Sequence, residues 1–106
     1  TIMPIKNIDS QTLKGWMERG EAVLVDVREP AEHATGIIPG AFLLPLSSVS
    51  SRTVPAYEGK KLVMQCRSGK RSEMAGEILL SGAPDQEIYN LAGGILEWVA
   101  SGNPIK

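Results

Sequence analysis

The sequence is poor in the residues from which disulfide frameworks and metal centres are built. Its 106 residues include one cysteine and one histidine, too few for an intramolecular disulfide or a zinc site of clustered cysteine and histidine ligands. We therefore expect no structural metal and no cofactor. A lone thiol suits a reducing compartment, and the cytoplasm is the predicted location.

Long apolar runs and an excess of one charge are also missing. No stretch approaches the roughly 20 apolar residues that span a bilayer, and residues 1–4 show no signal-peptide pattern. Eleven basic and twelve acidic residues nearly cancel, so we expect no nucleic-acid or membrane partner. The chain begins with Thr1, which leaves a processed leader or a larger parent protein open.

The chain contains enough apolar residues to form one hydrophobic core. With 42% hydrophobic content, one domain over residues 1–106 is predicted. Four short segments are apolar without alternation, which is typical of strands buried on both faces. The predicted strands are 22–27, 41–44, 61–65 and 87–91.

Helical patterns alternate with these strands. Apolar residues recur at three- and four-residue spacing in three places, each followed by a glycine. The predicted buried faces are Leu13, Trp16 and Met17 in a helix capped by Asp9; Met74, Ala75, Ile78 and Leu79 in a helix that begins near Ser72; and Ile95, Trp98 and Val99 in a helix after Gly93-Gly94. This order predicts an α/β fold with a mostly parallel sheet and helices on both faces.

The third strand leads directly into the loop Cys66-Arg67-Ser68-Gly69-Lys70-Arg71. Ligands of parallel α/β folds bind beyond the carboxyl ends of strands, which is where Cys66 stands. A cysteine reacts as the thiolate, and cations or a helix N-terminus lower its pKa. The loop supplies three cations, and the following helix supplies unpaired backbone N–H groups.

Gly69 lets this loop take positive φ, so that backbone N–H groups can converge on the sulfur as a nest. Ser68 can add a hydroxyl donor. The loop therefore predicts stabilised negative charge on, or attached to, a nucleophilic Cys66. The structural alternative is that Cys66 merely ends a buried strand and that the cations form a solvated helix start.

Four separated segments resemble motifs of the rhodanese family of sulfurtransferases, in the family's order. Residues 26–32 are similar to D-V-R-x-x-x-E, residues 36–41 to G-H-I-P-G-A, the loop 66–72 to C-R-S-G-x-R-S, and residues 90–98 to the closing L-x-G-G-x-x-x-W signature. One departure is Ile37, where the family often has histidine. That position is usually structural, so the assignment of Cys66 is unaffected.

The resemblance implies that Cys66 takes a sulfane sulfur from a donor, holds it as a persulfide and passes it to an acceptor. It also implies a small anionic donor such as thiosulfate and a thiol, cyanide or protein as acceptor. Arg67, Ser68, Gly69, Lys70 and Arg71 would then bind the donor and stabilise the persulfide.

Other residues are interpreted mainly as structural. Asp26 and Arg28 could support the site, but a structural ion pair is favoured for them, and the same holds for Glu32. His33 is expected to be a packing residue. Gly93-Gly94 lacks the spacing of a phosphate-binding loop, and close backbone packing is predicted there.

Two other functions are weighed against sulfur transfer. A cysteine-dependent phosphatase or arsenate reductase also uses a thiolate in an anion-binding loop, but its C-x5-R spacing would place arginine where Ser72 stands. A non-catalytic rhodanese-like interaction module is the other alternative, and such modules commonly lose the cysteine that this chain retains.

Overall fold

The structure is a computed structural model that describes residues 5–106; residues 1–4, where the signal-peptide pattern was sought, lie outside the described residues. Its five strands form one parallel sheet in the order β1-β5-β4-β2-β3. The strands are β1 (Lys6–Ile8), β2 (Ala22–Asp26), β3 (Phe42–Leu43), β4 (Lys61–Gln65) and β5 (Ile88–Leu91). The predicted parallel α/β fold is confirmed.

Four α-helices accompany the sheet: α1 (Ser10–Glu18), α2 (Pro30–Thr35), α3 (Lys70–Gly82) and α4 (Gly94–Ala100). A short 3-10 helix, Leu46–Ser48, follows β3. Asp9 caps α1 as predicted, because its carboxylate accepts the backbone N–H of Thr12 at 2.8 Å. Within residues 5–106, no helix is long and apolar enough to cross a membrane.

The core consists of two apolar layers, one on each face of the sheet. Leu13 of α1 and Trp98 of α4 pack with Leu24 and Val63 on one face. On the other face, Leu79 of α3 packs with the strand residues on the opposite side of the pleat, Val25, Leu62 and Met64. Helices thus cover both faces and leave the carboxyl ends of the strands at one edge.

The buried face of α3 differs from the predicted one. Ala75 and Leu79 are buried as expected, but Met74 and Ile78 are each 44% exposed. The face is completed by Leu80 and by the small residues Ser72 and Gly76. A Cβ atom on Gly76 would stand 2.8 Å from the Ile5 side chain, so glycine allows close packing at this position.

Smaller differences concern the ends and the number of elements. Val99, predicted to be buried, is 48% exposed, whereas Ile95 and Trp98 are buried. Helix α3 begins at Lys70, two residues before the predicted start, because Gly69 is its N-cap. Strand β1 and helix α2 were not predicted at all.

Candidate active site

Cys66 follows β4 directly and lies beneath its loop, with only 1% of the residue exposed. The backbone N–H of Gly69 donates to the Cys66 Sγ at 3.1 Å. The Ser72 hydroxyl lies 3.4 Å from the same sulfur, within hydrogen-bonding distance of it. Donors from the loop and from the first turn of α3 therefore converge on one atom.

These donors decide the protonation of Cys66. Burial alone raises the pKa of the thiol, but the hydroxyl of Ser72 and the backbone N–H groups of Ser72, Gly69 and Ser68 lower it by more. The net result is a pKa below the ordinary value of a cysteine. The site thus favours the thiolate at neutral pH more than a solvent-exposed cysteine does.

The backbone around the sulfur has the conformation that was predicted for a nest. Gly69 has φ +98°, in the left-handed region, and it is the N-cap of α3. A Cβ atom on Gly69 would overlap the Ala92 carbonyl. Glycine is required here by both conformation and space.

Helix α4 holds the outer side of the loop. The N–H of Ile95 donates to the Cys66 carbonyl at 2.9 Å, and the N–H of Leu96 donates to the Arg67 carbonyl at 3.2 Å. Gly94, with φ +62°, makes this contact possible, because a Cβ atom there would overlap the Arg67 carbonyl. The predicted close packing of Gly93-Gly94 is confirmed for Gly94.

The three loop cations have different surroundings. Arg71 forms a two-pronged ion pair with Glu32 of α2, at 2.7 and 2.9 Å, so it ties α3 to α2. Its hydrogen bonds lower the pKa of Glu32 to about 2. Lys70 is exposed and lies 3.9 Å from Glu73, whereas Arg67 is exposed and makes no ion pair within residues 5–106.

Ser68 acts on the sulfur through its backbone rather than through its side chain. Its N–H contributes to the lowered pKa of Cys66. The hydroxyl group that reaches the sulfur within the described part of the chain belongs instead to Ser72. The expected hydroxyl donor is therefore present, but at the other end of the loop.

Asp26 and Arg28 form a buried ion pair at the carboxyl end of β2. Arg28 Nη2 donates to Asp26 Oδ2 at 2.8 Å and to the Gly36 carbonyl at 2.7 Å. His33 Nδ1 is 2.9 Å from the same carboxylate oxygen. Burial raises the pKa of Asp26, but the hydrogen bonds from Arg28 and His33 lower it by more. The net result is a pKa below the usual range of an aspartate. This geometry suits a structural brace that anchors the segment between β2 and β3.

Two polar residues of the site were not predicted. Ser72 and Asn90 are both buried, and the Ser72 hydroxyl donates to Asn90 Oδ1 at 2.5 Å. Asn90 Nδ2 donates to the Gly69 carbonyl at 3.2 Å. Both residues stand inside motifs that the sequence displays, but neither residue type by itself indicates contact with a sulfur.

A shallow groove of about 310 Å³ opens beside the loop. Its lining includes the charged residues Arg67 and Glu32 and the half-exposed side chains of Leu96, Val99 and Ile105. Arg67, one residue after Cys66, thus brings an exposed positive charge to this groove.

The fold and the loop around Cys66 agree with the comparison of this chain with known proteins. A family model described as a rhodanese-like domain matches residues 9–101. The chain belongs to the rhodanese family of sulfurtransferases, as the sequence motifs predicted.

Individual relatives agree with the family assignment. The chain is 38% identical to a sulfurtransferase from Allochromatium vinosum, over 95% of this chain and 94% of that protein. It is 39% identical to the uncharacterized protein slr1261 of Synechocystis, of which it spans 54% while 92% of this chain is covered. The human single-domain sulfurtransferase TSTD1 has a similar structure, with a TM-score of 0.74 and 28% identity, over 92% of this chain and 96% of that one.

Proposed function

We propose that this protein is a sulfurtransferase that carries sulfur as a persulfide on Cys66. The observation that carries the proposal is the convergence of N–H and O–H donors on a buried sulfur whose thiolate they stabilise. A persulfide bears its charge on the outer sulfur, and preorganised donors with no competing water are what that species needs. Membership of the rhodanese family supports the same reaction.

With thiosulfate as donor, the reaction has two steps. The Cys66 thiolate attacks the sulfane sulfur, the sulfur–sulfur bond of thiosulfate breaks, and its electron pair leaves with sulfite. A nucleophilic acceptor then attacks the outer sulfur of the persulfide, and the electron pair of that bond returns to Cys66 Sγ. Ping-pong kinetics follow, because the first product leaves before the acceptor reacts.

The proposed substrates follow from the surroundings of the loop. Arg67 can attract a small anionic donor such as thiosulfate, since within residues 5–106 no carboxylate forms an ion pair with it. The acceptor is cyanide, a small thiol or a protein thiol. It must come from outside, because the single cysteine leaves no internal thiol to discharge the persulfide.

Phosphate ester hydrolysis is less well supported. The arginine nearest to a phosphatase position is Arg71, and its guanidinium is engaged by both carboxylate oxygens of Glu32. The family's non-catalytic interaction modules are a poorer match still, because this chain keeps the cysteine and its donors.

The test is to incubate the protein with thiosulfate, look for a gain of one sulfur atom by mass spectrometry, and then add cyanide and assay thiocyanate. We expect both the adduct and thiocyanate in the wild type and neither in Cys66→Ser, with unchanged circular dichroism. Phosphate monoester hydrolysis without an adduct would replace this proposal with the phosphatase. Sulfur transfer by Cys66→Ser would remove Cys66 as the nucleophile.

A further inference from the structure

The Ser72 hydroxyl has one hydrogen and two acceptors. It lies 2.5 Å from Asn90 Oδ1 and 3.4 Å from Cys66 Sγ. Because a hydroxyl donates one hydrogen at a time, it serves the amide oxygen or the sulfur, but not both fully. Ser72 is completely buried, so water does not offer it a third partner.

The amide of Asn90 is held in place on its other side. Its two Nδ2 hydrogens go to the Gly69 carbonyl at 3.2 Å and to Asn7 Oδ1 at 3.1 Å. These bonds fix the direction of Oδ1, which faces Ser72. Asn90 therefore competes with the sulfur for the Ser72 hydrogen from a fixed position.

We propose that Ser72 and Asn90 form a hydrogen-bond switch for the discharge of the Cys66 persulfide. When Cys66 Sγ carries no charge, the Ser72 hydroxyl donates to Asn90 Oδ1. When Sγ becomes a thiolate, the hydroxyl turns about its Cβ–Oγ bond and donates to Sγ. Ser72 is then a catalytic residue and Asn90 a positioning residue. The inference rests on the proposed persulfide chemistry.

The two half-reactions place charge at different atoms. In the persulfide, charge is on the outer sulfur, about 2.05 Å beyond Sγ. When the acceptor attacks the outer sulfur, the sulfur–sulfur bond breaks and its electron pair returns to Sγ, within reach of Ser72. Ser72 thus stabilises the leaving thiolate of the second step, at the cost of a less basic nucleophile in the first.

The first test measures alkylation of Cys66 by iodoacetamide against pH, which requires no sulfur transfer. Ser72→Ala loses the donor, so the midpoint of the profile moves to higher pH. Asn90→Ala removes the competing acceptor, so the midpoint moves to lower pH. In the Ser72→Ala background, Asn90→Ala has no further effect. The guanidinium of Arg71, which interacts with the charge of Cys66 while paired to Glu32, is the same in all variants.

The second test separates the half-reactions in single turnovers at a pH above the midpoints of all variants. Ser72→Ala discharges a preformed persulfide to cyanide about tenfold more slowly, the order of magnitude of a lost hydrogen bond to a charged group. Its rate of sulfite release in the first step does not fall. Ser72→Thr, which keeps the hydroxyl, restores discharge.

Opposite shifts in the two single variants support the switch, because damage to the loop would move both in one direction. A rise of the midpoint in Asn90→Ala, or an effect of that change without Ser72, overturns it. Should Asn90→Ala fail to fold, equal slowing of both half-reactions in Ser72→Ala overturns it instead. If the wild type itself transfers no sulfur, the proposed function fails, while the alkylation profiles still test whether Ser72 exchanges its hydrogen bond between Asn90 and Cys66.

Discussion

At the scale of single residues, the charges near Cys66 are mostly engaged in pairs that position the backbone. Asp26 is paired with Arg28, and Glu32 is paired with Arg71. A guanidinium that already forms a bidentate pair with a carboxylate is a poor ligand for a second anion. Arg67 is therefore the loop cation best suited to meet a substrate.

The Glu32–Arg71 pair makes a pH-dependent contribution to stability. Folding lowers the pKa of Glu32 from its ordinary 4.5 to about 2, so its stabilisation is complete above pH 4.5 and is lost as the pH falls towards 2. We expect Glu32→Gln to lower the free energy of unfolding at pH 7 by at most about 1 kcal/mol, because both side chains are about one-third exposed. Urea denaturation at pH 7 and pH 3 should show this difference shrinking.

Glu77→Gln is the matched control, since Glu77 is an exposed residue of the same helix as Arg71. It should change stability little at either pH. A Glu32→Gln difference that is as large at pH 3 as at pH 7 would show that the ionised pair is not its source.

At the scale of elements, the start of α4 determines the shape of the loop 66–71. We expect Gly94→Ala to reduce formation of the one-sulfur adduct at least tenfold, because the added Cβ would overlap the Arg67 carbonyl and lie 2.7 Å from the Cys66 carbonyl. Left-handed strain of about 1–3 kcal/mol adds a loss of stability. Adduct formation is followed by mass spectrometry and stability by Tm.

Gly102→Ala separates the two effects. Gly102 also has positive φ, at +83°, but a Cβ atom there meets nothing within 4 Å. This variant should therefore lose stability through strain and keep its rate of adduct formation. Equal loss of adduct in both variants would rule out the contact with the loop as the cause.

The elements that the sequence predicted are those with their own apolar signal. Strands 22–27 and 61–65 were found close to their observed limits because buried strands of a parallel sheet are continuously apolar. β1 was missed because it has three residues, none fully buried, and pairs with β5 from the other end of the chain. α2 was missed because none of its six residues is buried.

The parts of the site that were missed depend on long-range placement. Cys66 and Gly69 stand in one loop, so their relation is local and could be predicted. The contact of Ser72 with Asn90 joins residues 18 apart, and it depends on how α3 lies on β5. No sequence pattern around Ser72 or Asn90 predicts that their side chains come into contact.

At the scale of the whole molecule, the sheet joins two apolar layers. Neighbouring residues of β4 face opposite layers, with Val63 on the side of α1 and α4, and Leu62 and Met64 on the side of α3. Neither layer can lose its packing without exposing the other side of the same strand. The two layers should therefore unfold together.

We expect Leu13→Ala and Leu79→Ala, one in each layer, each to lower the free energy of unfolding by about 2–5 kcal/mol. Both residues are buried. Tryptophan fluorescence reports the first layer, which contains Trp98 and Trp16, and far-ultraviolet circular dichroism reports the whole. In both variants the two probes should have the same urea midpoint. Separate midpoints for Leu79→Ala would show that the layers unfold independently.

The burial of Cys66 has a consequence for molecular recognition. Cys66, of which only 1% is exposed, is a poor target for bulky thiols and oxidants, whereas the outer sulfur of a persulfide would lie about 2 Å beyond Sγ. The sulfur-free form and the persulfide form of Cys66 would thus present different surfaces to an acceptor. An acceptor would then distinguish the two forms by its contact with the outer sulfur.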